Sequence, residues 1–114
     1  MAGAGTAPVS AYVPLWCKSN YSFLEGASHP EELVRRARDL SLPALAITDR
    51  DGVYGAVRAH VAAREAALRL VLGSEVTIRD PAAPDGITVL LMACDRGGYA
   101  SLCRLLSRGR LRNP

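Results

Sequence analysis

Three carboxylates, Glu25, Asp49 and Glu75, stand at positions where a folded chain could use them chemically. Asp49 follows the apolar run Ala44-Leu45-Ala46-Ile47-Thr48 and opens the turn-like Asp49-Arg50-Asp51-Gly52. A carboxylate there is either presented to a metal or substrate, or bonded to nearby backbone as turn aspartates often are. Glu75 follows Gly73-Ser74 at the edge of another apolar run, so it is either exposed or turned inward toward a cation or donors that offset its burial. Glu25, within Phe23-Leu24-Glu25-Gly26, reads by itself as an ordinary loop acid. The two histidines, His29 and His60, have no metal-ligand spacing with each other or with a cysteine, and read as structural or surface residues. Phosphate-loop, dinucleotide-binding and serine-nucleophile glycine motifs are all missing, and no nucleophile is paired with a base.

The elements that must carry these acids follow from the apolar pattern. Tyr12 to Cys17 suits a buried strand, with Pro14 arguing against it. Ser28-His29-Pro30-Glu31 has the spacing of a capping box, and Leu33, Val34, Ala37 and Leu40 then share one helical face up to Pro43. Ala44 to Thr48 is a second strand. An alanine-rich helix is expected from about Tyr54 to Leu68, with Val57 and Val61 on its apolar side and Arg58, Arg64 and Glu65 toward water. Leu70-Val71-Leu72 is a third strand that breaks at Gly73-Ser74, and Glu75 to Ile78 continues or returns. Asp80 to Gly86, with two prolines, reads as a loop; Ile87 to Ala93 is a strand, and a last helix begins near Gly98 and carries Leu102, Leu105 and Leu106. This alternation predicts an α/β fold with mostly parallel strands, whose chemistry gathers at the carboxyl ends of the strands.

With 114 residues the chain has room for one domain. Only one Trp, four Tyr and one Phe are present, so the core must be aliphatic. A net charge of +3 is mild, but Arg96, Arg104, Arg108, Arg110 and Arg112 form an acid-free arginine-rich end. Such an end is either a solvated helix face or a surface for DNA or an acidic partner. Three cysteines without a C-x-x-C pair fit a reducing compartment, no apolar run is long enough for a membrane span, and residues 1–10 read as a flexible tail without a secretory signal. A cytoplasmic location is the expectation.

Ser19-Asn20-Tyr21-Ser22-Phe23-Leu24-Glu25-Gly26-Ala27-Ser28-His29-Pro30-Glu31-Glu32-Leu33 resembles the opening of the PHP (polymerase and histidinol phosphatase) domain of bacterial C-family DNA polymerase alpha subunits. Ala44 to Asp49 with Gly52-Val53-Tyr54-Gly55 resembles that domain's second motif, Gly73-Ser74-Glu75-Val76 its third, and Leu91 to Leu106 the strand and helix that follow. The wording is closest to the error-prone branch, and the resemblance runs from about residue 12 to 112. It implies that residues 11–114 are the N-terminal portion of a distorted (β/α)7 barrel, its first three or so strand–helix units. The parent activity it implies is DNA-directed DNA synthesis in replication, repair and lesion bypass. Members with an intact site hold zinc or manganese at strand ends, hydrolyse phosphoesters and support 3′–5′ exonuclease proofreading.

Carried over position by position, the family's first His-x-His falls on Trp16-Cys17-Lys18. Its acids fall on Glu25, Asp49 and Glu75, the histidine of its Asp-His on Arg50, and a further histidine on Thr88. Lys18 and Arg50 would put fixed positive charge where cations sit, and would instead pair with Glu25, Asp49 or Glu75. The expectation is therefore a chain without a cofactor, inactive alone, and serving the rest of a polymerase or other replication and repair proteins. DNA is a more indirect partner, through Arg104, Arg108, Arg110 and Arg112. The resemblance also implies that the remaining ligands lie beyond Pro114. The alternatives are a residual metal-dependent phosphoesterase using the three acids, and a free-standing fragment that binds DNA or polymerase.

Overall fold

The structure is a computed structural model that describes residues 12–112. The tail expected at residues 1–10 lies outside the described residues. Helix α1 (Pro30–Asp39) is followed by β1 (Ala44–Arg50), α2 (Ala56–Ala66), β2 (Arg69–Asp80), β3 (Ala83–Met92) and α3 (Arg96–Arg112). The sheet order is β1-β2-β3.

The cap of α1 sits one residue later than Ser28-Glu31 suggests. His29 is the N-cap, and its backbone N–H donates to Glu32 Oε1 at 2.7 Å. Pro30 accounts for the shift, because proline is best placed at the first helical position, where its missing N–H has no helical partner. Val34 and Ala37 of α1 pack with Leu45 and Ile47 of β1 and with Ala59 and Ala63 of α2, with Leu33, Cys17, Leu68 and Leu70 around them. Leu40, expected on the inner face, forms the C-cap and is half exposed. In α2 the inner face is made of Ala56, Ala59 and Ala63, whereas Val57 and Val61 point outward. The small alanines permit close approach to α1 and the sheet, and this contact outweighs the larger apolar area of the valines.

Strands β1 and β2 are parallel, with Arg50 opposite Glu75; β2 and β3 are antiparallel, with Glu75 opposite Leu90. The expectation of mostly parallel strands therefore holds for only one of the two pairs. The reason lies in the connection: the two residues between Asp80 and Ala83 suffice for a hairpin, whereas a parallel return needs a long crossover. Strand β2 runs unbroken through Gly73-Ser74. Most of the segment expected as a loop at Asp80 to Gly86 belongs to β3, where Pro84 lies on the sheet's edge strand and Gly86 (φ 84°) accommodates an irregularity in the register. Tyr12 to Cys17 is extended beside β1 but bridges it only at Cys17–Ile47, with a further bond from Ala46 N–H to Pro14 O at 2.9 Å. Helix α3 starts at Arg96, ahead of Gly98, because Asp95 Oδ1 accepts the Gly98 N–H at 2.7 Å. Of its leucines only Leu102 is buried; Leu105 is half exposed.

Candidate functional site

Where β1 ends, β2 passes beside it, and the segment between Cys17 and α1 folds over both. This segment closes on itself through Asn20 N–H to Ser28 O (2.8 Å) and Gly26 N–H to Ser22 O (3.0 Å). A Cβ on Gly26 would collide with the carbonyl oxygens of Lys18 and Ser19, so only glycine allows the two ends of the loop to approach this closely. Leu24, at the loop tip, has φ 67° and is 88% exposed.

Glu25, Asp49 and Glu75 all lie in this region, yet they fall into two separate groups. Asp49 belongs to the β1 strand rather than to a turn, and it is buried (2% exposed). Its Oδ1 accepts the Ser19 N–H at 2.6 Å and the Ser22 hydroxyl at 2.8 Å, and its Oδ2 accepts the Ser19 hydroxyl at 2.8 Å. Ser22 Oγ in turn accepts the Arg50 N–H at 3.0 Å. Asp49 thus anchors the loop to the strand through neutral donors. Below it, the Ser74 hydroxyl donates to Asp49 O at 2.9 Å and accepts the Gly52 N–H at 3.0 Å, which seals the turn between β1 and α2.

The second group is ionic. Lys18 Nζ bonds Glu25 Oε1 and reaches Glu75 Oε1 at 2.9 Å, while Arg50 Nη1 donates to Glu25 Oε2 at 3.1 Å. Trp16 Nε1 donates to Glu75 Oε1 at 2.7 Å, and Lys18 Nζ stands 5.8 Å from the Trp16 ring centre. The pairing expected of Lys18 and Arg50 is therefore present with Glu25 and Glu75 and absent for Asp49. Burial alone would lower the Lys18 pKa, but its bonds to Glu25 and Glu75 outweigh this and hold it above the ordinary lysine value. The bonds from Lys18 and Arg50 lower Glu25, and Glu25 raises Arg50.

These residues do not fit a divalent cation. The Lys18 ammonium lies between the two glutamates a metal would need, and three of the roughly four acceptor sites of Asp49 are filled by neutral donors. Among the described residues no three His, Cys, Asp or Glu side chains gather as a metal-binding group. Thr88 is exposed, pairs with Thr77, and adds no hydrogen bond to the cluster. His29 lies at the α1 cap with Nδ1 3.0 Å from Asn20 Nδ2, and His60 is exposed on α2.

The arginines of α3 do not act as one group. Arg110 donates to Asp51 O at 2.9 Å and stacks 5.8 Å from the centre of the Tyr54 ring, so it holds the end of α3 against the body. Arg104 bonds its neighbour Ser101, while Arg108 and Arg112 are exposed. Sequence reasoning missed Ser19, Ser22 and Ser74 as the polar frame of the site. The one available signal was three serines in segments that flank buried acids.

A mixed α/β unit with acids at the strand ends is consistent with part of a PHP or amidohydrolase-like barrel. Residues 15–114 match the PHP domain family, and the chain belongs to it. It is 53% identical over 97 residues to an error-prone DNA polymerase of Anaeromyxobacter sp. (strain K), covering 85% of this chain and 9% of that protein. It is 48% identical over 103 residues to an error-prone DNA polymerase of Ralstonia nicotianae, covering 90% and 10% respectively. The chain thus spans about a tenth of the length of these curated relatives. Among solved structures, a "putative metal-dependent phosphoesterase" from Bifidobacterium adolescentis matches with a TM-score of 0.58 and 31% identity, over 75% of this chain and 28% of that one. An amidohydrolase from Chromobacterium violaceum, with bound sulfate and no metal, matches with a TM-score of 0.64 and 25% identity, over 88% and 34%.

Proposed function

We propose that this segment serves an error-prone DNA polymerase as a non-catalytic structural or interaction piece, the opening part of its PHP domain. The observation that carries this reading is the Lys18 ammonium seated between Glu25 and Glu75, with Arg50 on the outer oxygen of Glu25. Fixed cations there close the strand ends with ion pairs and leave no open coordination position for substrate activation. The parent activity is then DNA-templated nucleotide transfer in repair synthesis and lesion bypass, in the cytoplasm, with the rest of the polymerase or other replication and repair proteins as partners.

The test is metal content after purification in zinc- and manganese-supplemented medium, combined with a 3′–5′ nuclease assay on single-stranded DNA. Metal well below one ion per chain and no cleavage are expected. Stoichiometric zinc or manganese with cleavage would instead establish the residual phosphoesterase that the Bifidobacterium likeness suggests, with Glu25, Asp49 and Glu75 as its acids. A second reading, contact with DNA or the polymerase through α3, is favoured by the exposure of Arg104, Arg108 and Arg112. Changing these three residues to Ala should then weaken that contact.

A further inference from the structure

Both helices that precede β1 and β2 run antiparallel to those strands, so their carboxyl ends lie at the end of the sheet opposite the ion-pair cluster. At that end a hollow of about 310 Å³ opens between α2 and β2, lined by His60, Ala63, Arg64, Ala67, Leu68, Arg69 and Leu70. The hollow is mostly apolar, and its ionisable lining residues are Arg64, Arg69 and His60, with no acidic residue among them. Arg64 and Arg69 are exposed, and their guanidinium groups have no hydrogen-bond or ion-pair partner among the described residues. The last turn of α1 brings Arg36 and Arg38 to the same end, Arg38 being paired with Asp39.

We infer that this end binds the phosphate groups of a DNA strand, with one phosphate seated in the hollow between Arg64 and Arg69. The planar guanidinium group, with its several N–H donors, suits phosphate oxygens, and two such groups facing one hollow can share a single phosphate. A helix carboxyl end disfavours anions, but here the αL residue Ala67 ends the helix. The Leu68 N–H donates to Ala63 O at 2.9 Å and the Ala67 N–H to Arg64 O at 3.3 Å, which occupies two of the four terminal carbonyls that would oppose the ligand. Compensation of the helix dipole explains Arg64 alone. It does not explain Arg69, the first residue of a strand, opposite Ala44. Arg36 of α1, at the same end and, among the described residues, not paired with an acid as Arg38 is, adds positive charge beyond one phosphate, which favours a strand over a free phosphate ion.

The test uses the 114-residue chain and a fluorescein-labelled oligothymidylate, followed by fluorescence anisotropy across a salt series. The double variant Arg64→Ala/Arg69→Ala should bind about tenfold more weakly at low salt. Its log–log salt slope should be shallower by about 1.4, the value for two phosphate contacts on a single strand. Arg64→Lys/Arg69→Lys should retain most of the binding, and Arg79→Ala/Arg96→Ala, with the same change of charge elsewhere, should lose much less. Circular dichroism checks that each variant folds; if the Ala pair fails to fold, Arg64→Gln/Arg69→Gln takes its place. Equal weakening by the two Ala pairs would overturn the proposal, as would oligonucleotide affinity unchanged by the Arg64 and Arg69 variants. Saturable binding of inorganic phosphate without binding of the oligonucleotide would overturn it as well.

Discussion

Asp49 and Glu75 are both buried acids three ångströms or less from their donors, but they are stabilised by different chemistry. Asp49 accepts one backbone N–H and two hydroxyl groups, all neutral. Asp49→Ala should therefore destabilise the fold by about 3 kcal/mol, since it strands buried donors, while Asp49→Asn, which keeps an acceptor oxygen, should cost less. Urea unfolding followed by circular dichroism measures both. Around Glu75 the donors are charged or aromatic, and Lys18→Met should cost about 1–3 kcal/mol by leaving a buried carboxylate with only the Trp16 N–H. Arg50→Ala, at a side chain 55% exposed and screened by solvent, should cost far less. If Lys18→Met proved as mild as Arg50→Ala, the ammonium would not be what holds this cluster together.

The loop and helices around these residues show what was readable in the sequence and what was not. Helix α1 and strand β1 follow from apolar spacing bounded by Pro30 and Pro43, because local pattern and tertiary packing agree there, whereas for α2 the alanine-rich run between Tyr54 and Leu68 gives the extent of the helix and not its inner face. Strand β3 was hidden where Pro84 and Gly86 mark a loop, since an edge strand tolerates both and only the partner strand reveals it. The inner face of α2 was misassigned because hydrophobicity ranks Val57 above Ala59, whereas close helix packing selects for small size. Ala63→Leu should accordingly destabilise by about 1–3 kcal/mol through overpacking, while Val57→Lys should stay within about 0.5 kcal/mol of the wild type. Neither contrast in thermal unfolding would be expected if the valines faced the core. At the candidate site the three acids were legible individually. The serines that separate Asp49 from the ion pairs were not, because a hydroxyl carries no periodicity. The left-handed Leu24, bare of packing at the loop tip, is an unfavourable backbone choice, and Leu24→Asn should raise stability by about 0.5–1 kcal/mol.

Among the described residues the charges separate by role: ion pairs join the carboxyl end of β1 to the middle of β2, while at the other end the Arg64 and Arg69 side chains stand unpaired beside the Arg38–Asp39 pair. The first set ties stability to pH in a stated direction. Folded Glu25 binds its proton less tightly than the unfolded chain does, so its contribution is complete above the ordinary carboxylate range and is lost as pH falls through it. Folded Lys18 binds its proton more tightly, so its contribution is complete below the ordinary lysine range and is lost as pH rises past it. The thermal midpoint should hence be highest across the neutral range and fall on both sides. Glu25→Gln should flatten the acid limb; an acid limb identical to the wild type would remove Glu25 as its source.

Lys18 also changes the order in which the fold can be assembled. A dissociable ion is present at whatever concentration the medium supplies and must be captured after its ligands converge. An ammonium on the chain itself arrives with its loop, at an effective concentration set by the few residues between Lys18 and Glu25. If the ammonium stands in for a metal, as we propose, completion of the strand ends needs no loading step. Refolding rate and thermal midpoint should be the same in EDTA as in millimolar zinc or manganese, and a midpoint that falls with EDTA would show that the cluster depends on a cation from outside the chain.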